Sequence, residues 1–352
     1  MNSFKNHFLY FILILLEISF VISNHIGCRD EKNNLIDWFY LYKLPNSIEL
    51  DNNIESLNTG KKYLFITPSS SQWIASNNSI NDEFSMPGLT LSNIYDGKSR
   101  KNNIVMIYND EPSNGHTKGV VVANDISGFW MVHSVPKYPP AMEENSYSFP
   151  KSGEIYGQSF LCISLDGNQI DKVGKQLKYN EAHFYSSHVP EHLKTIYPSL
   201  VDALKMETID VPPFYNIEML ESIGGTMFTS FAKSRKFKKE LYEDWVAPHF
   251  GAGNYFVETW RHGPGNIKSD CMKLSKVYNI ETILFDSTSK IEFKTLHDHS
   301  KWMVCIQHDL LCVGDINRQE HQKLRGGGTV CQQHNVSTSY NNLINKFENC
   351  QN

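Results

Sequence analysis

The chain lacks a second long apolar run, a CxxC pair, a low-complexity tract and a surplus of positive charge. Each absence closes a class of function. Beyond the N-terminus no stretch reaches the roughly 18 apolar residues that a membrane-spanning helix needs. None of the seven cysteines forms a CxxC pair, which argues against a structural zinc site or a thioredoxin-like site. Hydrophobic residues make up 40% and charged residues 20%, with no compositional bias, so the chain reads as folded and not disordered. Its 352 residues suffice for one large domain or two closely packed ones. A formal charge of −5 argues against a constitutive polyanion binder. No carboxylate cluster suggests two-metal chemistry, so no metal is expected. Gly326-Gly327-Gly328 lacks the lysine of a phosphate-cradling loop, so it reads as a tight turn and no nucleotide cofactor is expected.

What is present begins with a targeting segment. Lys5 precedes a continuous apolar run from Phe8 to Leu16; Glu17 interrupts it, and Ile18 to Ile22 is mostly apolar before Ser23, Asn24 and Gly27. The run is short for a span and lies at the start. It reads as a signal peptide over residues 1–23, with no membrane span after cleavage; an uncleaved anchor is the other reading. In an oxidising compartment Cys28, Cys162, Cys271, Cys305, Cys312, Cys331 and Cys350 read as disulfides, with one thiol left over because seven is odd. Asn77-Asn78-Ser79 and Asn335-Val336-Ser337 are glycosylation sequons. The chain also carries 14 histidines; 14 added charges on −5 give +9, so an acidic compartment would favour a phosphate-rich ligand.

Strand-like and helix-like segments alternate loosely, which fits a mixed α/β (α+β) class. Asp37 to Leu44, Asn102 to Tyr108, and a hairpin of Gly119 to Ala123 and Phe129 to His133 read as strands. Glu191 to Tyr197 and Ser199 to Met206, split by Pro198, read as helical. So does Phe231 to Trp245, where Phe237, Leu241 and Trp245 are spaced four apart.

A weak internal repeat is the most informative feature. His116-Thr117-Lys118 opens an apolar hairpin that ends at His133-Ser134-Val135-Pro136. About 180 residues later, His299-Ser300-Lys301 opens a second hairpin, strands Trp302 to Ile306 and Leu310 to Val313, ending at Gly314-Asp315-Ile316-Asn317. Residues i and i+2 of a strand share a face, so each His and Lys project together. A phosphodiester calls for such a set. One imidazole can attack phosphorus, a second can protonate the leaving oxygen, and two lysines can hold the non-bridging oxygens. A single HxK is an ordinary exposed strand end; two copies with matching hairpins suggest duplicated halves that meet at one site. Lys233-Ser234-Arg235-Lys236-Phe237-Lys238-Lys239 reads as a solvated basic helix face, with a DNA-backbone grip as the alternative. Trp130, Trp260 and Trp302 read as core packing, with base stacking as the alternative.

The chain resembles deoxyribonuclease II, a branch of the phospholipase D superfamily, over nearly all of the mature length. The resemblance rests on Asp37-Trp38-Phe39, Tyr42-Lys43-Leu44-Pro45, Gly115-His116-Thr117-Lys118-Gly119, Gly128-Phe129-Trp130 and Val132-His133-Ser134-Val135-Pro136. It continues through Gly174-Lys175-Gln176-Leu177, Ser230-Phe231-Ala232-Lys233, Asp298-His299-Ser300-Lys301-Trp302, Cys312-Val313-Gly314-Asp315-Ile316-Asn317-Arg318 and Arg325-Gly326-Gly327-Gly328-Thr329. The resemblance implies a pseudo-dimer of two β-sheet halves flanked by helices, residues 24–190 and 191–352, each with one HxK motif. It implies metal-independent hydrolysis of DNA at acid pH to 3′-phosphate ends, in a lysosomal or secreted protein. Carried over by motif, His116, Lys118, His299 and Lys301 are catalytic, and His133 matches a further histidine of the family. The superfamily's Asp after each Lys is replaced here by Ala123 and Ile306, so Ser134, Asp315 and Asn317 are the candidates to orient the imidazoles. The family pattern pairs Cys28 with Cys162, Cys271 with Cys350 and Cys312 with Cys331, and leaves Cys305 free. Two rivals are a catalytically weak relative that binds DNA or a host partner, and a phosphodiesterase acting on another substrate such as phospholipid. Nothing in the sequence sets an oligomeric state.

Overall fold

A computed structural model describes residues 25–46, 59–285 and 291–350. The expected signal segment lies outside them. The chain forms two large antiparallel-dominated sheets with few, short helices, a two-half phospholipase D-like fold. The first sheet holds β1 (Trp38–Lys43), β2 (Tyr63–Ile66), β3 (Ile74–Ala75), β4 (Ile104–Asn109), β5 (Gly119–Ala123), β6 (Ser127–His133), β7 (Gln158–Asp166) and β8 (His183–His188), in the order β3-β2-β1-β7-β6-β5-β4-β8. The second holds β9 (Tyr215–Glu221), β10 (Met227–Lys233), β11 (Gly253–Glu258), β12 (Ser275–Phe285), β13 (Ile291–Lys294), β14 (Trp302–Cys305), β15 (Leu310–Gly314) and β16 (Gly327–Gln333), in the order β13-β12-β11-β14-β15-β16-β10-β9, with β17 (Ile344–Phe347) paired to β12.

The halves match strand for strand. β4-β5-β6-β7-β1 in the first sheet corresponds to β11-β14-β15-β16-β10 in the second, both antiparallel throughout. Registers fix the residue equivalences. Tyr108 lies opposite Gly119 as Glu258 lies opposite Trp302, and Lys43 lies opposite Gln158 as Lys233 lies opposite Gly327. The outer strands break the likeness, since β12 runs parallel to β11 whereas β8 runs antiparallel to β4.

Period-2 alternation places the core. On β1, Trp38, Tyr40 and Tyr42 join Trp302, Val304, Leu311, Val313 and Val330 of the second sheet in one cluster between the sheets. Phe39 and Leu41 face the opposite way into a separate first-half cluster. The sheets are therefore clamped face to face by apolar burial. Polar ties add to this: the Tyr40 hydroxyl donates to Gln332 (2.8 Å), and Gln176 Nε2 donates to the Ser230 carbonyl (2.8 Å). Gln176 lies on α1 (Gly167–Tyr179), whose Asp166 cap accepts from the Gln169 amide (3.0 Å) and whose Ile170, Val173 and Leu177 are buried.

Three expectations fail. Phe231 to Trp245 is not one helix. Phe231–Lys233 is sheet, paired on both sides, Lys238 adopts a left-handed conformation (φ 58°) that ends any helical turn, and helical backbone resumes only at Tyr242. The fourfold spacing serves an aromatic cluster instead, with Phe237 and Trp245 rings 4.9 Å apart. Only a 3₁₀ turn (Glu191–Leu193) and a short helix (Pro198–Ala203) occupy the 191–206 region, and Pro198 starts the second rather than splitting a longer one. Gly326–Gly328 is no turn: Gly326 leads directly into β16, and Gly327 and Gly328 are its first two residues. A Cβ on Gly328 would fall 2.0 Å from the Phe231 carbonyl, and one on Gly326 would fall 2.5 Å from the Asn180 carbonyl.

Candidate active site

His116 and Lys118 stand at the entrance to β5. The His116 amide donates to the Gly326 carbonyl (2.8 Å) and its Nδ1–H to the Asp315 carbonyl (2.7 Å), both across the boundary between halves. With Nδ1 as donor, Nε2 is the working nitrogen. Nε2 lies 3.7 Å from Asp110, whose carboxylate also lies 3.8 Å from Lys118 Nζ and 2.7 Å from Arg325. Burial alone would raise the Asp110 pKa, but Lys118, His116 and Arg325 outweigh it and hold the carboxylate down at about 2. Burial pushes the His116 pKa well below its ordinary value, Lys118 adds to that, and Asp110 opposes it.

His299 and Lys301 stand equivalently before β14. The His299 amide donates to the Gly157 carbonyl (2.8 Å) of the first half. Its ring stacks on Tyr156 (4.0 Å, 9°) and meets Trp260 edge-on (4.4 Å). Its Nε2 is buried without a hydrogen-bond partner among the described residues. Burial, then Lys301, Lys118, Lys43 and His262, push its pKa down to about 2. Behind it, buried Asp298 accepts from the Tyr42 hydroxyl, the Ser300 hydroxyl (2.6 Å) and the Ser300 amide (3.0 Å), which locks the 298–300 turn.

Lys118 and Lys301 are each 4% exposed and near enough to repel. Burial and then Lys118 push the Lys301 pKa down to about 7. An anion seated between the two ammonium groups relieves both.

Two further buried lysines, neither of them expected at the site, build this arrangement. Lys43 at the end of β1 donates to the carbonyls of Glu154 (3.0 Å) and Tyr156, just before Gly157. Its equivalent Lys233 donates to the carbonyls of Gln322 (3.2 Å), Lys323 (3.3 Å) and Arg325, just before Gly326. Each lysine thus clamps the segment of its own half that holds the other half's histidine. The basic run at 233–239 is accordingly no uniformly solvated face: Lys233 is fully buried, and Arg235 pairs with buried Glu181 (2.6 Å).

The supporting candidates fall unequally. Asp315 does orient His116, but through its main-chain carbonyl; its carboxyl accepts from the Thr117 hydroxyl (2.7 Å) and Lys118 amide (3.3 Å). Burial raises its pKa to about 7 against these donors. His133 is fully buried, its Nδ1 accepts from the Val135 amide (3.2 Å), and burial then Lys118 push its pKa down to about 3. Ser134 bonds Gln158 (2.6 Å) and the Ser159 amide (3.0 Å), and the Asn317 side-chain oxygen is buried without a partner among the described residues; neither side chain has a hydrogen bond to an imidazole among them. Trp130 and Trp302 are core residues, whereas Trp260 lines the site. Disulfides join Cys28 to Cys162, Cys271 to Cys350 and Cys312 to Cys331, Cys305 is free and buried, and Asn77 and Asn335 are exposed. Asp110 and Tyr156 were missed as site residues, and Trp260, read as core packing with base stacking as the alternative, packs against His299. No periodicity flags them; only the strand registers show that Asp110 and Trp260 occupy equivalent positions.

Two like sheets that share one His/Lys centre define a pseudo-dimeric enzyme of the phospholipase D-like class. The deoxyribonuclease II family profile matches residues 27–350. Plancitoxin-1 of Acanthaster planci is 36% identical, covering 96% of each chain. Mouse deoxyribonuclease-2-alpha is 33% identical, covering 91% of this chain and 92% of its own. Cell-death-related nuclease 7 of Caenorhabditis elegans is 30% identical, covering 97% and 93%. The chain belongs to the deoxyribonuclease II family and is a hydrolase of that type.

Proposed function

We propose that this chain is an acid endonuclease of the secretory pathway, lysosomal or secreted, that cuts DNA phosphodiester bonds to 3′-phosphate ends without a metal. The observation that carries this reading is the buried, mutually repelling pair Lys118 and Lys301, each with an imidazole two residues before it. A phosphate seated between them supplies the missing anion, and the two ammonium groups balance charge that grows on its oxygens in the transition state. One neutral imidazole attacks phosphorus to give a phosphohistidine, the other protonates the departing 5′ oxygen, and water then releases the 3′-phosphate.

The acid preference follows from the same burial. Lys301, with its pKa down at about 7, is fully charged only below that pH, so phosphate binding weakens as pH rises through neutrality. Plasmid nicking at about pH 5, where Lys301 is charged, should persist in excess EDTA. Inhibition by EDTA that magnesium reverses defeats the metal-free reading. His116→Ala and His299→Ala should each slow nicking by about 10²-fold or more, and the double variant should be little worse, because the pair acts as a unit.

A further inference from the structure

The two half-sites share a backbone but surround their imidazoles with opposite chemistry. Asp110 and Trp260 each lie two residues beyond the equivalent strand residues Tyr108 and Glu258, and each touches the histidine of its own half. Arg325 and Tyr156 precede the equivalent residues Gly326 and Gly157, and each reaches the other half's histidine region. A carboxylate and a guanidinium thus stand where the other half has an indole and a phenol.

We infer that the two histidines have fixed and different tasks: His299 is the nucleophile, His116 is the proton donor, and Asp110 is the positioning residue that keeps His116 a donor. This inference rests on the covalent mechanism proposed above.

His116 has an oxygen near both ring nitrogens, the Asp315 carbonyl at Nδ1 (2.7 Å) and the Asp110 carboxylate near Nε2 (3.7 Å). That is the surrounding an imidazolium needs, with a hydrogen-bond acceptor at Nδ1 and a negative charge within ion-pair distance of Nε2. His299 Nε2 has no acceptor among the described residues, so a proton there finds no partner and the lone pair stays free. The charged groups bear this out. Around His299 stand Lys301, Lys118, Lys43 and His262, all of which disfavour a second positive charge. Around His116 stand Lys118, Lys301 and Arg325 too, but with Asp110 opposing them. A substrate phosphate adds the same negative charge to both rings, so Asp110 decides which one is protonated.

The steps balance. His299 Nε2 bonds to phosphorus as the P–O5′ bond breaks, and the His116 Nε2 proton passes to O5′, giving a 5′-hydroxyl. Water then attacks phosphorus, His116 takes its proton, the N–P bond breaks, and neutral His299 and a 3′-phosphate are left.

A DNA duplex with sulfur in place of one bridging 5′ oxygen tests this, because a thiolate departs without a proton. His116→Ala should lose about 10²–10⁴-fold on ordinary DNA but release thiol from the sulfur duplex within about tenfold of the unsubstituted enzyme. It should also accumulate a protein–DNA adduct on His299, since the water step lacks its base. His299→Ala should fail equally on both duplexes. Rescue of His299→Ala instead overturns the assignment and leaves the covalent reading standing. No adduct and no selective rescue in either variant overturns the covalent reading itself. If either variant fails to fold, the unsubstituted enzyme is quenched in alkaline detergent during turnover of the sulfur duplex; an adduct on the His116 peptide refutes the assignment. Asp110→Asn should move the basic limb of the rate profile down by about one pH unit, and Asp110→Glu should restore it. An unmoved limb removes Asp110 from the role.

Discussion

Asp315→Asn separates the charge of this residue from its position. The carboxyl is 5% exposed, and burial raises its pKa to about 7 from 3.8. A carboxyl with a raised native pKa binds a proton more readily folded than unfolded. Its contribution to stability is therefore present at acid pH and is lost as pH climbs through the window between about 4 and 7. Roughly three pH units at about 1.36 kcal/mol each give about 4 kcal/mol over the full window, and about 3 kcal/mol between pH ~4.5 and ~7.5. The neutral acid and the amide are near-isosteric. Either can donate to the Thr117 hydroxyl while its oxygen accepts from the Lys118 amide. The main-chain carbonyl that holds His116 is unaffected by the substitution.

Two measurements follow from this. Denaturant unfolding at both pH values should show the stability gap between variant and wild type moving in the variant's favour by about 3 kcal/mol on going to the higher pH. Nicking at about pH 5 should survive the substitution within a few-fold, because Asp315 is already mostly neutral there. A constant stability gap would falsify the raised pKa. A loss of about 10²-fold or more at acid pH would mean that Asp315 acts as an anion in the reaction.

Arg318 is fully buried, donating to Glu240 (3.3 Å), Glu243 (2.7 Å) and Asn279 (2.8 Å). Arg318→Met leaves those carboxylates uncompensated and should cost about 3–5 kcal/mol in guanidinium denaturation; a loss below about 1 kcal/mol contradicts the buried network. Tyr156→Phe keeps the ring stacked on His299 and should retain near-normal turnover. Tyr156→Ala frees the imidazole and should lower kcat by about 10²-fold with little change in KM, and equal activity of the two variants contradicts a positioning role for the ring.

The parts of the site legible in the sequence were those with local signatures. The HxK spacing of two is read directly on a strand, and the hairpins after His116 and His299 follow from short apolar runs broken by polar turns. The parts that escaped depend on contacts between distant segments. Asp110 looks like any polar residue after a strand until β4 is aligned with β11. Tyr156 reaches His299 only because Gly157 bridges to the turn before β14. Lys233 sat inside an apparently solvated basic run, yet β10 pairing on both sides carries it into the interior. Sequence reasoning also looked for side chains to orient the imidazoles, whereas the observed acceptor for His116 is a main-chain carbonyl, which no residue type announces. The expected helix over Phe231–Trp245 failed for the converse reason, since a spacing of four among aromatics is satisfied equally by a folded-back loop.

The buried ionisable groups also decide how the stability of the fold depends on pH. Asp298, Asp315, Glu240 and Glu258 all have raised pKa values, chiefly from burial, and stabilise the fold most below about pH 4, losing that as pH rises. His116, His133 and His299 have lowered values, again chiefly from burial, and act with the opposite sign. Their contribution is present above about pH 6.5 and is lost as pH falls toward their native values. The two sets oppose each other between about pH 4 and 6.5, which flattens the stability curve where Lys301 is charged. The histidines that impose the penalty at low pH include the two that the proposed mechanism needs. The carboxylates that offset it sit beside them: Asp298 immediately precedes His299, and Asp315 holds the Thr117-Lys118 backbone. Removing one of these carboxylates should therefore steepen the acid side of the stability curve even when the imidazoles are untouched.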